Sequence, residues 1–242
     1  MKVAAYQMPL LPSGSIEAAL SLIRERVAWC EVNGVSILCC PEAILGGLAD
    51  DCADPQPLAM SVHSEQFDTM LAPLASDMVT TIVGFTERAD DGRLYNAAAV
   101  LASGAIVGVY RKQHPAINRS VYAAGRQLPV FEAGGLRFGI VICYDSNFPN
   151  LARSLAERGA AALFVPSNNA LPDANGGREL VTESRRVDIA TAMANRLWVI
   201  RADVAGRRGD LVSYGSSAIV DPSGTVVQSA RELSDDMIVA EL

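Results

Sequence analysis

The order of strand and helix patterns along the chain is the feature that most restricts its fold. Near the start, a strand pattern at residues 3–8, a helical pattern ending about residue 32 and an almost entirely apolar strand pattern at 35–42 follow one another. Such alternation is typical of parallel sheets covered by helices on both faces. The segment Ala89-Asp-Asp-Gly92 is a hairpin turn signal, so some neighbouring strands must run antiparallel. We therefore predict an α/β domain with mixed sheets.

The rest of the chain continues this mixture, and it contains no linker, repeat or low-complexity tract. We accordingly predict one domain covering residues 1–242. The further predicted elements are a helix at 64–77, strands at 80–87, 94–101 and 105–112, a strand pair within 130–141, a helix at 149–158, a strand at 160–165, a helix at 177–196, a strand at 198–204, a hairpin within 215–228 and a last strand at 237–242. Residues 46–62 and 114–125 are predicted loops.

Composition excludes several classes of protein. The 20 basic and 27 acidic residues give a net charge of −7, which argues against binding to nucleic acid or to an anionic membrane. No apolar run approaches the roughly 18 residues of a membrane span, and Gln7 and Pro9 interrupt any N-terminal signal core. The five cysteines show no Cys-x-x-Cys spacing, so we predict reduced thiols, no metal site and a cytoplasmic location.

Three predicted strands end in residues that carry functional groups, namely Glu42, Lys112 and Cys143. Each has an ordinary structural explanation. A cysteine after an apolar run is often a small buried hydrophobe, while the glutamate and the lysine could be solvated strand ends or an ion pair. However, strand ends can converge on one edge of a sheet, where α/β proteins bind ligands. The helix predicted from Pro149 also places Cys143 near a helix N-terminus, where a thiolate is favoured.

Together these three groups could break a C–N bond without a metal or organic cofactor. A carboxylate such as Glu42 can take the thiol proton of Cys143 and later protonate an amine leaving group. An ammonium such as Lys112 favours the thiolate and stabilises the oxyanion of a tetrahedral intermediate. The backbone N–H of Tyr144, which follows the nucleophile, is a second candidate oxyanion donor.

Other nucleophilic sites fit the sequence less well. A Cys–His hydrolase would use His114, two residues beyond Lys112, since the only other histidine, His63, lies in a polar loop. His114 precedes Pro115, so it is better explained as a turn residue. Serine nucleophiles lack a Gly-x-Ser-x-Gly or Ser-x-x-Lys motif. A non-enzymatic scaffold is the remaining alternative.

Six motifs in sequence order resemble those of the nitrilase, or carbon-nitrogen hydrolase, superfamily. They are Cys40-Pro-Glu42, Tyr110-Arg-Lys112-x-His, Gly139-Ile-x-Ile-Cys143-Tyr-Asp-x-x-Phe-Pro149, Val165-Pro-Ser-Asn-Asn169, Arg201-Ala-Asp-x-Ala-Gly206 and Ser213-Tyr-Gly-x-Ser-x-Ile-Val-Asp-Pro-x-Gly224. The resemblance implies a four-layer α-β-β-α sandwich with two mixed sheets covered by helices, whose subunits pair through helices into a homodimer or larger homo-oligomer.

The resemblance also implies roles for the three strand-end residues. Glu42 would be the general base, Lys112 the oxyanion-stabilising lysine and Cys143 the nucleophile that forms a thioester. The implied substrate is a small primary amide, and a nitrile or an N-carbamoyl compound would use the same residues. Many family members carry a second glutamate in the loop after the lysine, seven residues before a glycine. Counting back from Gly125 places Asn118 there, and a neutral amide cannot act as a base.

Overall fold

The computed structural model describes residues 1–116, 120–172 and 177–242. Short 3₁₀ turns lie at Ala49–Asp51, Gln56–Leu58, Ala72–Leu74 and Cys143–Asn147. In chain order the helices and strands are β1 (Lys2–Pro9), α1 (Ile16–Asn33), β2 (Val35–Cys39), α2 (Glu65–Leu71), β3 (Thr80–Arg88), β4 (Leu94–Ala102), β5 (Ala105–Arg111), β6 (Val130–Ala133), β7 (Leu136–Ile140), α3 (Pro149–Glu157), β8 (Ala162–Pro166), β9 (Leu171–Pro172), α4 (Gly177–Asn195), β10 (Trp198–Ala202), β11 (Val204–Arg208), β12 (Leu211–Ser213), β13 (Ala218–Val220), β14 (Val226–Ser229) and β15 (Asp236–Glu241).

The strands form two mixed sheets. The larger, nine-stranded sheet has the order β5-β4-β3-β2-β1-β11-β12-β9, and β15 also pairs with β1. Parallel pairing joins β1, β2 and β3, whereas β3, β4 and β5 form an antiparallel meander. The smaller, six-stranded sheet has the order β14-β13-β10-β8-β7-β6, with parallel pairing among β7, β8 and β10. The predicted mixture of parallel strands and hairpins is confirmed.

Two hydrophobic clusters define four layers. One cluster packs α1 and α2 against the nine-stranded sheet through residues such as Ile23, Phe67 and Phe85. The other cluster contains residues of both sheets, among them Ile37 on β2 and Phe164 on β8, together with Leu155 of α3. The order of layers is therefore helices, sheet, sheet, helices, and the predicted α-β-β-α sandwich is confirmed.

Several predicted boundaries are wrong for identifiable reasons. The strand predicted at 35–42 ends at Cys39, just before Pro41, which has no N–H for a sheet ladder. The helix predicted to continue to residue 77 ends at Leu71 and gives way to a 3₁₀ turn that contains Pro73. The strand predicted at 198–204 is two strands, β10 and β11, which belong to different sheets. The short strands β9 and β12 were not predicted.

Within the described ranges, no helix combines the length and the apolar character that crossing a membrane requires.

Candidate functional site

The three predicted site residues come from both sheets. Glu42 follows β2, and Lys112 follows β5 directly, so both belong to the nine-stranded sheet. Cys143 opens the 3₁₀ turn after β7 of the six-stranded sheet. The two sheets are connected at this point, because the backbone N–H of Glu42 donates to the carbonyl of Ser167 (3.2 Å), which follows β8. The site therefore lies between the sheets.

The Glu42 carboxylate is buried and fully engaged in hydrogen bonds. Its Oε1 accepts from Lys112 Nζ (2.6 Å) and from Asn96 Nδ2 (2.7 Å), and its Oε2 accepts from the backbone N–H of Asn168 (2.9 Å). Glu42 is only 2% exposed. A carboxylate held by donors on both oxygens has a fixed orientation, which a positioned proton acceptor requires.

Lys112 is held by its backbone as well as by its side chain. Its N–H donates to the carbonyl of Asn96 (2.8 Å), and its own carbonyl accepts from the N–H of Gly125 (2.7 Å). Burial alone would lower the pKa of Lys112, but the neighbouring Glu42 carboxylate outweighs this and raises it. The ammonium is therefore charged at neutral pH and is available to stabilise a developing anion.

Two glycines allow the chain to approach this ion pair closely. A Cβ on Gly84 of β3 would lie 2.4 Å from the carbonyl oxygen of Pro41 and 2.8 Å from Cα of Glu42. A Cβ on Gly125 would lie 2.1 Å from the carbonyl oxygen of Arg111. Because real Cβ atoms do not make such contacts, only glycine permits these placements of Glu42 and Lys112.

Cys143 has a strained backbone, and Asp145 holds the turn that it begins. The φ of Cys143 is 47°, in the left-handed region that few non-glycine residues adopt. The Asp145 carboxylate accepts from the N–H of Ile142 (3.1 Å), from the N–H of His114 (2.8 Å) and from the Tyr110 hydroxyl (2.7 Å). Asp145 thus ties the turn that begins at Cys143 to the segment that carries Lys112.

The pKa of the Cys143 thiol is raised, which favours its protonated form. Burial raises its pKa to about 12, the Glu42 charge adds to the rise, and Lys112 and Arg201 oppose it. Its Sγ donates to Oδ1 of Asn169 at 3.5 Å. A thiol in this state needs a base to remove its proton during attack, and Glu42 is the nearby carboxylate whose charge acts on it.

A second buried ion pair supports the same turn from the side of α4. The Arg201 guanidinium donates to both oxygens of Asp188 (2.7 and 2.6 Å), to the hydroxyl of Ser167 (2.7 Å) and to that of Ser146 (3.1 Å). Ser146 in turn donates to the carbonyl of Cys143 (2.7 Å). Arg201 therefore links α4, the end of β8 and the turn that begins at Cys143.

The remaining predicted residues have different surroundings. Tyr144 is the second residue of the turn, and its ring is 42% exposed and meets the edge of Phe148 at 5.5 Å. His114 stacks on the other side of this aromatic cluster, with its ring centroid 3.5 Å from that of Phe148. His63 lines a surface groove. Asn118 lies outside the described residues.

Sequence reasoning missed the polar residues that orient this site. Asn96 contacts Glu42, Asp145 holds the turn, and Asn169 contacts the thiol. The available signal was a polar residue within an otherwise apolar run, as for Asn96 in β4 and for Asp203 between β10 and β11. Over the described ranges, His, Cys, Asp and Glu side chains form no group of three or more that could hold a metal ion.

Comparison with known proteins gives consistent results. The model of the carbon-nitrogen hydrolase family matches residues 2–242. A nitrilase from Pyrococcus abyssi is 29% identical over 248 residues, covering 100% of this chain and 89% of the relative. An (R)-stereoselective amidase from a Pseudomonas species is 30% identical over 214 residues, covering 87% of this chain and 74% of the relative.

Solved structures show the same fold. A mutant of the Nesterenkonia AN1 amidase from the nitrilase superfamily superimposes with a TM-score of 0.81 at 23% identity, covering 100% of this chain and 90% of that one. A Saccharomyces cerevisiae member of branch 10 of the nitrilase superfamily gives a TM-score of 0.82 at 21% identity, covering 99% and 89%. With its sandwich fold and a family match over nearly its whole length, the chain belongs to the carbon-nitrogen hydrolase family.

Proposed function

We propose that this protein is a cysteine hydrolase that converts a small aliphatic primary amide into the acid and ammonia through a thioester. The observation that carries the proposal is the buried Glu42–Lys112 pair, whose two charges both act on the Cys143 thiol. A base, a cation and a nucleophile are the groups that this reaction needs. We propose Glu42, Lys112 and Cys143 as the catalytic residues and no cofactor.

The proposed reaction begins when Glu42 takes the thiol proton as Cys143 Sγ attacks the amide carbon. Lys112 and the N–H of Tyr144 stabilise the oxyanion of the tetrahedral intermediate. The intermediate collapses by breaking the C–N bond, and the proton on Glu42 passes to the nitrogen, so that ammonia leaves. Glu42 then takes a proton from water, which attacks the thioester. Collapse releases the acid and returns the proton to Sγ.

The names of the relatives favour amide hydrolysis as the class of reaction, and they do not point to one particular amide. Besides the Pseudomonas amidase, they include a deaminated glutathione amidase from Escherichia coli O157:H7, which is 28% identical over 225 residues. The Pyrococcus protein is named a nitrilase, and N-carbamoylputrescine amidases of tomato and potato are also related. Nitrile or N-carbamoyl hydrolysis at the same residues is therefore the second candidate function.

We further propose that the 242 residues act as one domain in a cytoplasmic homodimer or larger homo-oligomer. The support for assembly is a surface of α3 and α4, where a cavity of about 260 Å³ is lined by Pro149, Val187 and Ala190, and where Met193 of α4 is 58% exposed. Exposed apolar surface of this kind is typical of protein interfaces. Light scattering of the purified protein would test the assembly, and a monomeric mass would contradict it.

The experiment that tests the function is ammonia release from a panel of primary amides, N-carbamoyl amino acids and nitriles. We expect turnover of at least one small amide and a loss of at least about 10⁴-fold in kcat in Cys143→Ala. Cys52→Ala is the matched control, because Cys52 is the other partly exposed cysteine. No turnover by the reduced wild-type protein would contradict the proposal. Activity lost in His114→Ala but retained in Glu42→Ala would favour a Cys–His mechanism.

A further inference from the structure

The side-chain amide of Asn169 is a polar contact of the Cys143 thiol. Its Oδ1 accepts the Cys143 thiol at 3.5 Å, and the residue is more than nine-tenths buried. A buried acceptor that loses its donor costs free energy until another donor replaces it. When the thiol proton leaves during catalysis, Oδ1 of Asn169 therefore needs a new partner.

The neighbours of Asn169 determine which end of its amide faces the sulfur. Its Nδ2 donates to Oδ2 of Asp203 (3.0 Å) and to Oγ of Ser216 (3.0 Å). An ionised carboxylate only accepts hydrogen bonds, so the end that faces Asp203 must be the NH₂ group. The oxygen of the amide is thereby directed at Cys143.

Asp203 accepts hydrogen bonds on both of its oxygens, and these bonds and the Arg201 charge oppose the rise in its pKa that burial causes. It accepts from the backbone N–H groups of Asn169 (3.0 Å), Val204 (2.9 Å) and Ser216 (3.0 Å), and from the Ser216 hydroxyl (2.7 Å). Backbone N–H groups can only donate, so this arrangement requires acceptor lone pairs on both oxygens. Asp203 is fully buried where the chain passes from β10 to β11, and its own N–H donates to Ser217 Oγ (2.8 Å).

We propose that Asn169, oriented by Asp203, is a specificity-determining residue whose Oδ1 accepts a hydrogen bond from the NH₂ group of the substrate. This inference rests on the proposed function and narrows the substrate class. The reacting carbon of the substrate must be bonded to a nitrogen that carries hydrogen, as in primary amides and N-carbamoyl compounds. A nitrile nitrogen has no hydrogen and would present its lone pair to the same oxygen. A site built to accept an N–H group discriminates strongly against a ligand that lacks one.

The two residues have distinct parts in this arrangement. Asn169 contacts the substrate and the thiol, whereas Asp203 acts only through Asn169 and is a positioning residue. A purely structural role for either residue would lower the rates with amides and with nitriles by the same factor. The ratio of the two rates therefore separates selectivity from general damage to the site.

The test compares the rates of Cys143 alkylation by chloroacetamide, which carries a carboxamide, and by chloroacetonitrile, which carries a nitrile. Each rate is divided by the rate at which the same reagent alkylates glutathione. We expect the wild-type protein to favour the amide reagent and Asn169→Leu to lose this preference by about tenfold. Asp203→Asn should also lower the ratio of the chloroacetamide rate to the chloroacetonitrile rate, but by a smaller factor. The new amide no longer fixes the orientation of Asn169. Asn33→Leu, on α1, is the matched control.

This measurement does not need turnover, so it separates the inference from the proposed function. An unchanged ratio in folded Asn169→Leu would overturn the inference even if the wild-type protein hydrolyses amides. If Asn169→Leu does not fold, Asn169→Ser replaces it, because its hydroxyl is too short to reach the same position. In a further outcome, the wild-type protein shows no hydrolytic turnover, yet its preference for chloroacetamide is lost in the variants. That outcome would support the contact with Asn169 and contradict the proposed reaction.

Discussion

Two buried ion pairs of the molecule are alike in N···O distance and burial. They differ in how many N–H groups of the cation donate hydrogen bonds to the protein. Lys112–Glu42 and Arg201–Asp188 both have N···O distances of 2.6 Å, and all four side chains are at most 5% exposed. Arg201 directs its donors to Asp188, Ser167 and Ser146. For Lys112 Nζ, by contrast, the hydrogen bond found among the described residues is the one to Glu42.

This difference indicates that the number of N–H donors that the cation keeps for other partners is a better guide to the role of an ion pair than its N···O distance. An ammonium has three donors, so Lys112 retains hydrogen-bonding capacity toward a substrate, whereas the guanidinium of Arg201 is used to connect elements of the fold. The two cations also differ in chemistry, because a buried lysine can release its proton and an arginine cannot. Three substitutions would test these distinctions.

The largest effect on stability is expected from Asp188→Asn. The change leaves the Arg201 charge buried without its counter-ion, and breaking a buried pair in this way costs about 3–5 kcal/mol. Urea unfolding followed by circular dichroism would measure the loss. The matched control is Glu183→Gln on the same helix, where the pair with Arg186 is solvent-exposed, and no change in the unfolding midpoint is expected there. Equal losses in the two variants would contradict a structural role for the buried pair.

Glu42→Gln should cost less, about 1–3 kcal/mol near neutral pH, and the cost should depend on pH. In the wild type the folded-state pKa of Lys112 is raised, so the ion pair contributes its full stabilisation at pH values below the ordinary lysine pKa. This stabilisation is lost only as the pH rises through the folded-state pKa. In the variant, buried Lys112 has a lowered pKa, so the unfolded state binds more protons and stability rises with pH.

The deficit of Glu42→Gln relative to the wild type should therefore shrink between about pH 7 and pH 10. The deficit of Asp188→Asn should stay constant over that range, because Arg201 keeps its charge. Urea unfolding at a series of pH values measures both curves. Parallel curves for the two variants would show that the proposed difference between lysine and arginine is not expressed in this fold.

Gly84→Ala is expected to affect stability about as much as Glu42→Gln does and to have a clear effect on turnover. The new Cβ would overlap the backbone around Glu42 and displace that carboxylate, at a cost of about 1–3 kcal/mol. A displacement on the order of 1 Å at a catalytic group can lower the rate about 10²-fold. Steady-state ammonia release would measure the change, and a kcat close to the wild-type value would show that the placement of Glu42 tolerates movement.

The parts of the structure that follow local patterns were predictable from the sequence. The strands that precede Glu42, Lys112 and Cys143 could be recognised because each is a short, mainly apolar run. The early end of α2 also had a local signal in Pro73, since proline has no N–H to continue the helical hydrogen bonds. The division between β10 and β11 had no such signal, because an apolar run continues on both sides of Asp203.

The supporting residues of the site could not be predicted because their roles arise from contacts between distant segments. Asn96 reaches a carboxylate 54 positions away along the chain, and Asn169 reaches Asp203 34 positions away. An apolar run makes a polar residue such as Asn96 conspicuous, but the neighbouring sequence does not identify the residue that it contacts. Their partners become apparent only when the strands have been placed in two sheets.

The division of the site between the two sheets has a consequence for how the protein tolerates change in its interior. Glu42 and Lys112 follow strands of one sheet, whereas Cys143 and Asn169 follow strands of the other, and one hydrophobic cluster contains buried side chains of both sheets. In the proposed reaction, the packing of that cluster therefore helps to set the distance that a proton travels from sulfur to carboxylate. A substitution in the cluster that leaves the protein folded can still alter its catalytic rate, so the interior acts as a spacer as well as a source of stability.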